Sequence, residues 1–107
     1  MNSKLVSIIT PSYNSSKFIE ETIVSVQNQT YTNWEMLITD DGSTDNSIQI
    51  IRCLSKKDSR IKIFSIENSG PAVARNNSIK NAKGSFLAFL DSDDLWLPEF
   101  LSTSISQ

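Results

Sequence analysis

The sequence contains no histidine and a single cysteine, Cys53. The first absence removes Ser-His-Asp and Cys-His catalysis and every imidazole-bound metal site. The second means that no disulfide can form within the chain. The start, Met1-Asn2-Ser3-Lys4, lacks the apolar stretch and small-residue cleavage site of a signal peptide. Both features point to a reducing cytoplasm. No apolar run approaches the ~20 residues that a membrane span needs. Basic residues do not cluster and the net charge is −2, so nucleic acid is not expected as a partner. Cys53 falls on a predicted helix and reads as a small packing residue rather than a nucleophile.

What is present is globular composition. Hydrophobic residues make up 38% and charged residues 21% of 107, enough for one modest core. Short apolar runs alternate with helical periodicity. Leu5 to Thr10 reads as a buried strand stopped by Pro11. Between Phe18 and Gln29, Ile19, Thr22, Ile23 and Val26 recur on one helical face, with Ser15 or Ser16 as cap. Trp34 to Thr39 is a second strand. Asn46 to Lys57 is a second helix with Ile50, Ile51 and Leu54 inward, capped by Asp45 or Ser43. Ile61 to Ile66 is a third strand. Pro71 suits the first position of a third helix, which runs to about Ala82 and is ended by Gly84. Ser85 to Leu90 is a fourth strand, and Pro98 opens a last helix. Strands separated by helices imply right-handed crossovers and a parallel sheet covered on both faces.

In an open parallel sheet, ligands bind beyond the carboxyl ends of the strands. Those ends here carry Pro11-Ser12-Tyr13-Asn14, Asp40-Asp41-Gly42-Ser43, Glu67-Asn68-Ser69-Gly70 and Asp91-Ser92-Asp93-Asp94. The aspartates sit on two loops that should share one rim. Carboxylates crowded together raise one another's pKa, and a divalent cation or a donor-rich ligand relieves this. Asp91-Ser92-Asp93 offers hard oxygens that suit Mg²⁺ or Mn²⁺ better than Zn²⁺. On spacing alone, both acidic loops read first as turns and helix caps.

Five blocks stand in order along the chain: Val6 to Asn14 (VSIITPSYN), Ser25 to Thr30 (SVQNQT), Asp40 to Asp45 (DDGSTD), Ala74-Arg75-Asn76, and Phe89 to Asp94 (FLDSDD). Together they resemble the nucleotide-binding half of a family 2 glycosyltransferase with the GT-A fold, over nearly the whole chain. The resemblance implies a Rossmann-like α/β fold with a mainly parallel sheet of about four strands. It implies inverting transfer of a sugar from a nucleotide diphosphate donor, usually a UDP-sugar, to a hydroxyl of a saccharide or lipid-linked acceptor. By the same resemblance, Pro11 and Tyr13 lie at the base, and Asp41 accepts a hydrogen bond from the uracil imide. Arg75 lies near the donor, where it meets phosphate or orders the aspartates. Asp93 contacts the metal, Asp91 the ribose or the metal's surroundings, and Asp94 caps the next segment of chain. A cation about 4 Å from the charge on the departing diphosphate is worth about 4 kcal/mol at an effective dielectric of 20, roughly a thousandfold in rate.

The resemblance also sets expectations about residues beyond these blocks. The general base of the family comes after the Asp-x-Asp block at a distance, so no catalytic residue is expected before Gln107. The chain is read as a partial one that binds donor and metal and transfers no sugar alone. Strand 85–90 and residues 96–101, including Trp96, Leu97, Phe100 and Leu101, are expected to self-associate. The expected location is cytoplasmic, at the inner membrane face for a full-length protein in polysaccharide biosynthesis. Nucleotidyl transfer would want a glycine-rich loop after the first strand, which Pro11-Ser12-Tyr13-Asn14 lacks. A receiver-type phosphoacceptor domain would carry its acidic pair after the first strand, not the second. A non-catalytic nucleotide-sugar-binding or scaffolding module remains the alternative.

Overall fold

The computed structural model describes residues 4–105. Four strands alternate with four helices: β1 (Val6–Ser12), α1 (Ile19–Gln27), β2 (Trp34–Asp41), α2 (Ser47–Lys57), β3 (Ile61–Ile66), α3 (Pro71–Lys80), β4 (Phe86–Phe89) and α4 (Phe100–Ile105). All pairings are parallel, in the order β3-β2-β1-β4. β1 and β2 are central and buried on both faces, so apolar residues stand on each face and the polar ones among them, such as Ser7, Glu35 and Thr39, are buried too. Alternation along them sorts the residues between two layers. Val6, Ile8, Trp34, Met36 and Ile38 face the cluster formed with Ile19, Ile23 and Val26 of α1 and Ile51 of α2. Ile9, Leu37 and Thr39 are buried on the other face, where Ser78 of α3 bonds the Leu37 carbonyl and the Thr39 hydroxyl. Each fully buried Ile or Leu contributes roughly 1.5–3 kcal/mol against exposure. Among the described residues no helix is long and apolar enough to cross a membrane.

Several boundaries differ from the sequence expectation. Pro11 does not stop β1, which continues through it to Ser12. The carbonyls of Leu5 and Ile9 accept from Ser85 and Leu90, so the odd residues of β1 turn their peptide groups toward β4. Pro11 turns the same way, but β4 has already ended at Phe89, opposite Ile9. Its missing N–H therefore leaves no partner unpaired. Neither Ser15 nor Ser16 caps α1 through its side chain. Phe18 is the N-cap, and the Ser15 backbone carbonyl takes the Phe18 and Ile19 N–H groups. At α2 the N-cap is Asn46, not Asp45 or Ser43, although the Asp45 carboxylate, one residue before the cap, accepts the Ser47 N–H at 3.0 Å.

Gly84 does not end α3, which stops at Lys80 with Asn81 as C-cap. Its position answers to a different constraint. A Cβ there would meet the Leu5 carbonyl and the Ser7 Oγ at 2.6 Å. The close approach lets the Gly84 N–H donate to Ser7 Oγ, which itself donates to buried Glu35. Cys53 is exposed rather than packed. It lies two residues beyond buried Ile51, roughly 200° around the helix. Asp94 caps no helix, because α4 begins only at Phe100; its carboxylate accepts the Leu95 N–H. α4 likewise starts two residues later than Pro98 would set it. β4 is short, and its Phe86, Leu87 and Phe89 side chains are exposed.

Candidate functional site

β1, β2 and β4 all run in the same direction, so the loops that leave them emerge at one end of the sheet. The loop after β1 is shaped by Asn14, which adopts φ +47°. Asparagine tolerates this left-handed conformation better than most residues with a Cβ. Its Oδ1 accepts the Thr44 N–H at 2.8 Å, and its own N–H donates to Ser43 Oγ at 2.8 Å. Two further bonds join the same loops: Ser15 N–H to Ser47 Oγ at 2.9 Å and Ser16 N–H to Asp45 at 3.2 Å. Burial of Asp45 alone would raise its pKa, but the hydrogen bonds from Ser47 and Ser16 outweigh this and hold it at about 2.

The neighbouring aspartates at the end of β2 do different work because successive strand residues point to opposite faces. Asp40 is fully buried and accepts from the Ser43 N–H at 2.9 Å and the Ser43 hydroxyl at 2.6 Å. It closes the turn through Gly42. Asp41 points the other way, to the start of α3. Its two carboxylate oxygens accept the N–H groups of Ser69 at 2.7 Å and Gly70 at 3.0 Å. Asn68 donates to the Asp41 backbone carbonyl at 2.9 Å. A carboxylate at a helix N-terminus is favourably placed against the free N–H groups and the dipole. Oδ2 also takes the Asn68 amide at 3.4 Å, whereas Oδ1 has a single donor and keeps lone-pair capacity for another.

These loops enclose a crevice of about 620 Å³, within the usual range for small-molecule sites. Pro11, Tyr13, Asp41, Arg75, Asp91 and Asp93 all line it, as the sequence predicted. Tyr13 leaves half of its surface open to solvent. Asn14, Phe18, Asn68 and Gly70 also line it and were not among the predicted site residues. Asn14 could have been found from its place after a strand, since Asn is favoured where φ turns positive. Asn68 likewise stood on a strand-end loop, whereas Phe18 carried no comparable signal.

The charge of the lining is three carboxylates, Asp41, Asp91 and Asp93, against one guanidinium, Arg75. A diphosphate entering alone would meet a net negative wall. Asp91 and Asp93 carry carboxylate oxygens, the hard donor type that Mg²⁺ or Mn²⁺ prefers. Among the described residues no group of three or more potential metal ligands comes together.

The sequence matches the family description "Glycosyl transferase family 2" over residues 7–106. It is 50% identical over 107 residues to the Escherichia coli UDP-Glc:alpha-D-GlcNAc-diphosphoundecaprenol beta-1,3-glucosyltransferase WfgD, covering 99% of this chain and 42% of that protein. The fold superposes on S. aureus TarS 1-349 in complex with UDP-GlcNAc with a TM-score of 0.88 and 34% identity, over 97% of this chain and 30% of that one. It also matches the mannosyltransferase PcManGT from Pyrobaculum calidifontis, in complex with GDP-Man and Mn2+, with a TM-score of 0.77 and 27% identity, over 89% of this chain and 29% of that one. The chain spans about two fifths of the length of WfgD and smaller shares, down to 13%, of other curated relatives. With its GT-A arrangement of sheet and helices, the chain belongs to glycosyl transferase family 2.

Proposed function

We propose that this chain is the donor-binding half of a metal-assisted, inverting glycosyltransferase, and that its donor is a UDP-sugar. The observation that carries the reading is the convergence of Tyr13, Asp41, Arg75, Asp91 and Asp93 on one crevice. Pro11 and Tyr13 pack against the base. Asp41 accepts the uracil N3–H, a task for which its fixed, backbone-anchored carboxylate is suited. Arg75 meets the phosphates as a permanent cation. Asp91 and Asp93 hold Mg²⁺ or Mn²⁺, with Asp93 in direct contact and Asp91 also within reach of the ribose. Bound there, the ion stabilises the charge that develops on the departing diphosphate. The related proteins solved with UDP-GlcNAc and with GDP-Man and Mn2+ support this class of donor and ion. The acceptor is a hydroxyl of a saccharide or of a lipid-linked sugar, the latter supported by the diphosphoundecaprenol substrate of WfgD. The general base and the acceptor groove are assigned to no residue of this chain.

Calorimetric titration with UDP in the presence of Mn²⁺ tests the reading. Wild type binds, chelation weakens binding, and Asp93→Asn loses the metal-dependent part. Metal-independent tight binding, or no binding of any nucleoside diphosphate, overturns it. Leu101 is buried and Trp96 packs against the core, so neither is free to join a second copy as expected. We further propose that edge strand β4, through the exposed Phe86, Leu87 and Phe89 with Leu97 and Phe100, joins two copies of the chain. A purely monomeric species in sedimentation at high concentration would refute that.

A further inference from the structure

From Asp91 to Pro98 the chain forms no regular element, so its backbone groups must find partners elsewhere. Several of those partners come from α1 and the residues just beyond its end. Thr22, Ser25 and Gln29 are spaced three and four residues apart and share one side of α1 and its C-terminal extension. Thr22 is fully buried, and its hydroxyl is shared between the carbonyls of Ser92 at 3.0 Å and Asp94 at 2.8 Å. These carbonyls stand immediately before and after Asp93. Ser25 Oγ accepts the Trp96 N–H at 3.3 Å. Gln29 donates to the Leu97 carbonyl at 2.7 Å and accepts the Leu101 N–H at 2.9 Å.

We propose that Thr22 is a positioning residue for the Asp91–Asp93 turn, with Ser25 and Gln29 extending the same clamp to residue 101. The inference rests on the donor-binding reading of the crevice, which gives Asp93 its metal. Threonine at position 22 fills the space of a valine in the α1 interface, so packing alone does not ask for its hydroxyl. The hydroxyl is used on both sides of Asp93, and that grip sets where the carboxylate stands in the crevice. A ligand held within about 0.5 Å needs such support from behind, because a free loop would spend most of its time elsewhere.

The test compares Thr22→Val and Thr22→Ser in the full chain. Thr22→Val should speed hydrogen exchange at the Asp94 and Trp96 amides and leave β2 unchanged. It should lower Mn²⁺-dependent affinity for UDP about tenfold, the scale of one lost buried hydrogen bond, while uridine affinity stays constant. Thr22→Ser should restore both. Wild-type exchange in residues 92–97 of Thr22→Val overturns the clamp. So does a uniform loss of uridine and Mn²⁺–UDP affinity, which marks a general packing defect. If wild type shows no Mn²⁺ dependence, the donor reading fails and the exchange data alone decide the clamp. Should Thr22→Val not fold, Ser25→Ala replaces it, with faster exchange at Trp96 as the expected result and unchanged exchange as the refutation.

Discussion

Asn14 Oδ1 accepts the Thr44 backbone N–H at 2.8 Å, so the loop after the first strand is fastened to the loop after the second across 30 residues of sequence. The backbone of the same residue stands at φ +47°, so its conformation and its side-chain bonding depend on each other. One wall of the crevice, from Tyr13 to Asp41, is thereby held as a single piece.

Asn14→Gly keeps the backbone geometry and removes the bond. It should cost about 0.5–1.5 kcal/mol of stability in urea denaturation, the net worth of one exposed hydrogen bond whose freed N–H turns to water. UDP affinity should fall with it, since Tyr13 and Asp41 are no longer fixed relative to one another. An unchanged midpoint and affinity would mean that the remaining Ser15–Ser47 and Ser16–Asp45 bonds suffice.

Gly42→Ala should be more damaging. Gly42 sits at φ +73°, and a Cβ there would lie 2.8 Å from the backbone nitrogen of Asn68. Strain and clash together should cost about 2–4 kcal/mol. Because Asn68 bonds the Asp41 carbonyl, chemical shifts of Ser69 and Gly70 should move in the same variant.

Stability should decline in acid over a defined window. Hydrogen bonding from Arg60 above all, against opposing burial, holds Asp58 down from 3.8 to about 2, and Asp45 is also lowered to about 2. Between these values the unfolded chain binds protons that the folded chain refuses. The stabilisation is therefore complete above about pH 4 and is lost as pH falls through about 2. Asp58→Asn and Asp45→Asn should each flatten the dependence of the urea midpoint on pH. A wild-type midpoint that does not change over this range would contradict both assignments.

Glu35 is buried and accepts the Ser7 hydroxyl at 2.6 Å and the Lys83 N–H at 2.7 Å. Glu35→Ala should leave both donors unpaired and cost about 2–4 kcal/mol. Since Gly84 and Ser85 lead directly into β4, faster amide exchange at Phe86 to Phe89 should accompany the loss. Protection of β4 equal to wild type would show that its pairing with β1 does not depend on this cluster.

The order of strands and helices, the inward faces of α1 and α2 and the convergence of Tyr13, Asp41, Arg75 and Asp93 were legible from periodicity and from the blocks of polar residues at strand ends. These are local patterns, and a parallel sheet with right-handed crossovers turns them into a shared rim almost without choice. The position of Pro11 within β1 was not legible, because it depends on how far β4 extends beside it. The exposure of Cys53 was missed because helix membership alone does not say which way a side chain turns. The separate roles of Asp40 and Asp41 likewise depend on the opposite faces of a strand and on the groups that stand across each face. So sequence by itself determined the family, the element order and which residue types line the crevice, all carried by residue type and spacing. Only the tertiary structure decided which donors hold each carboxylate, because Ser69, Gly70 and Thr22 reach Asp41 and the Asp93 turn from tens of residues away.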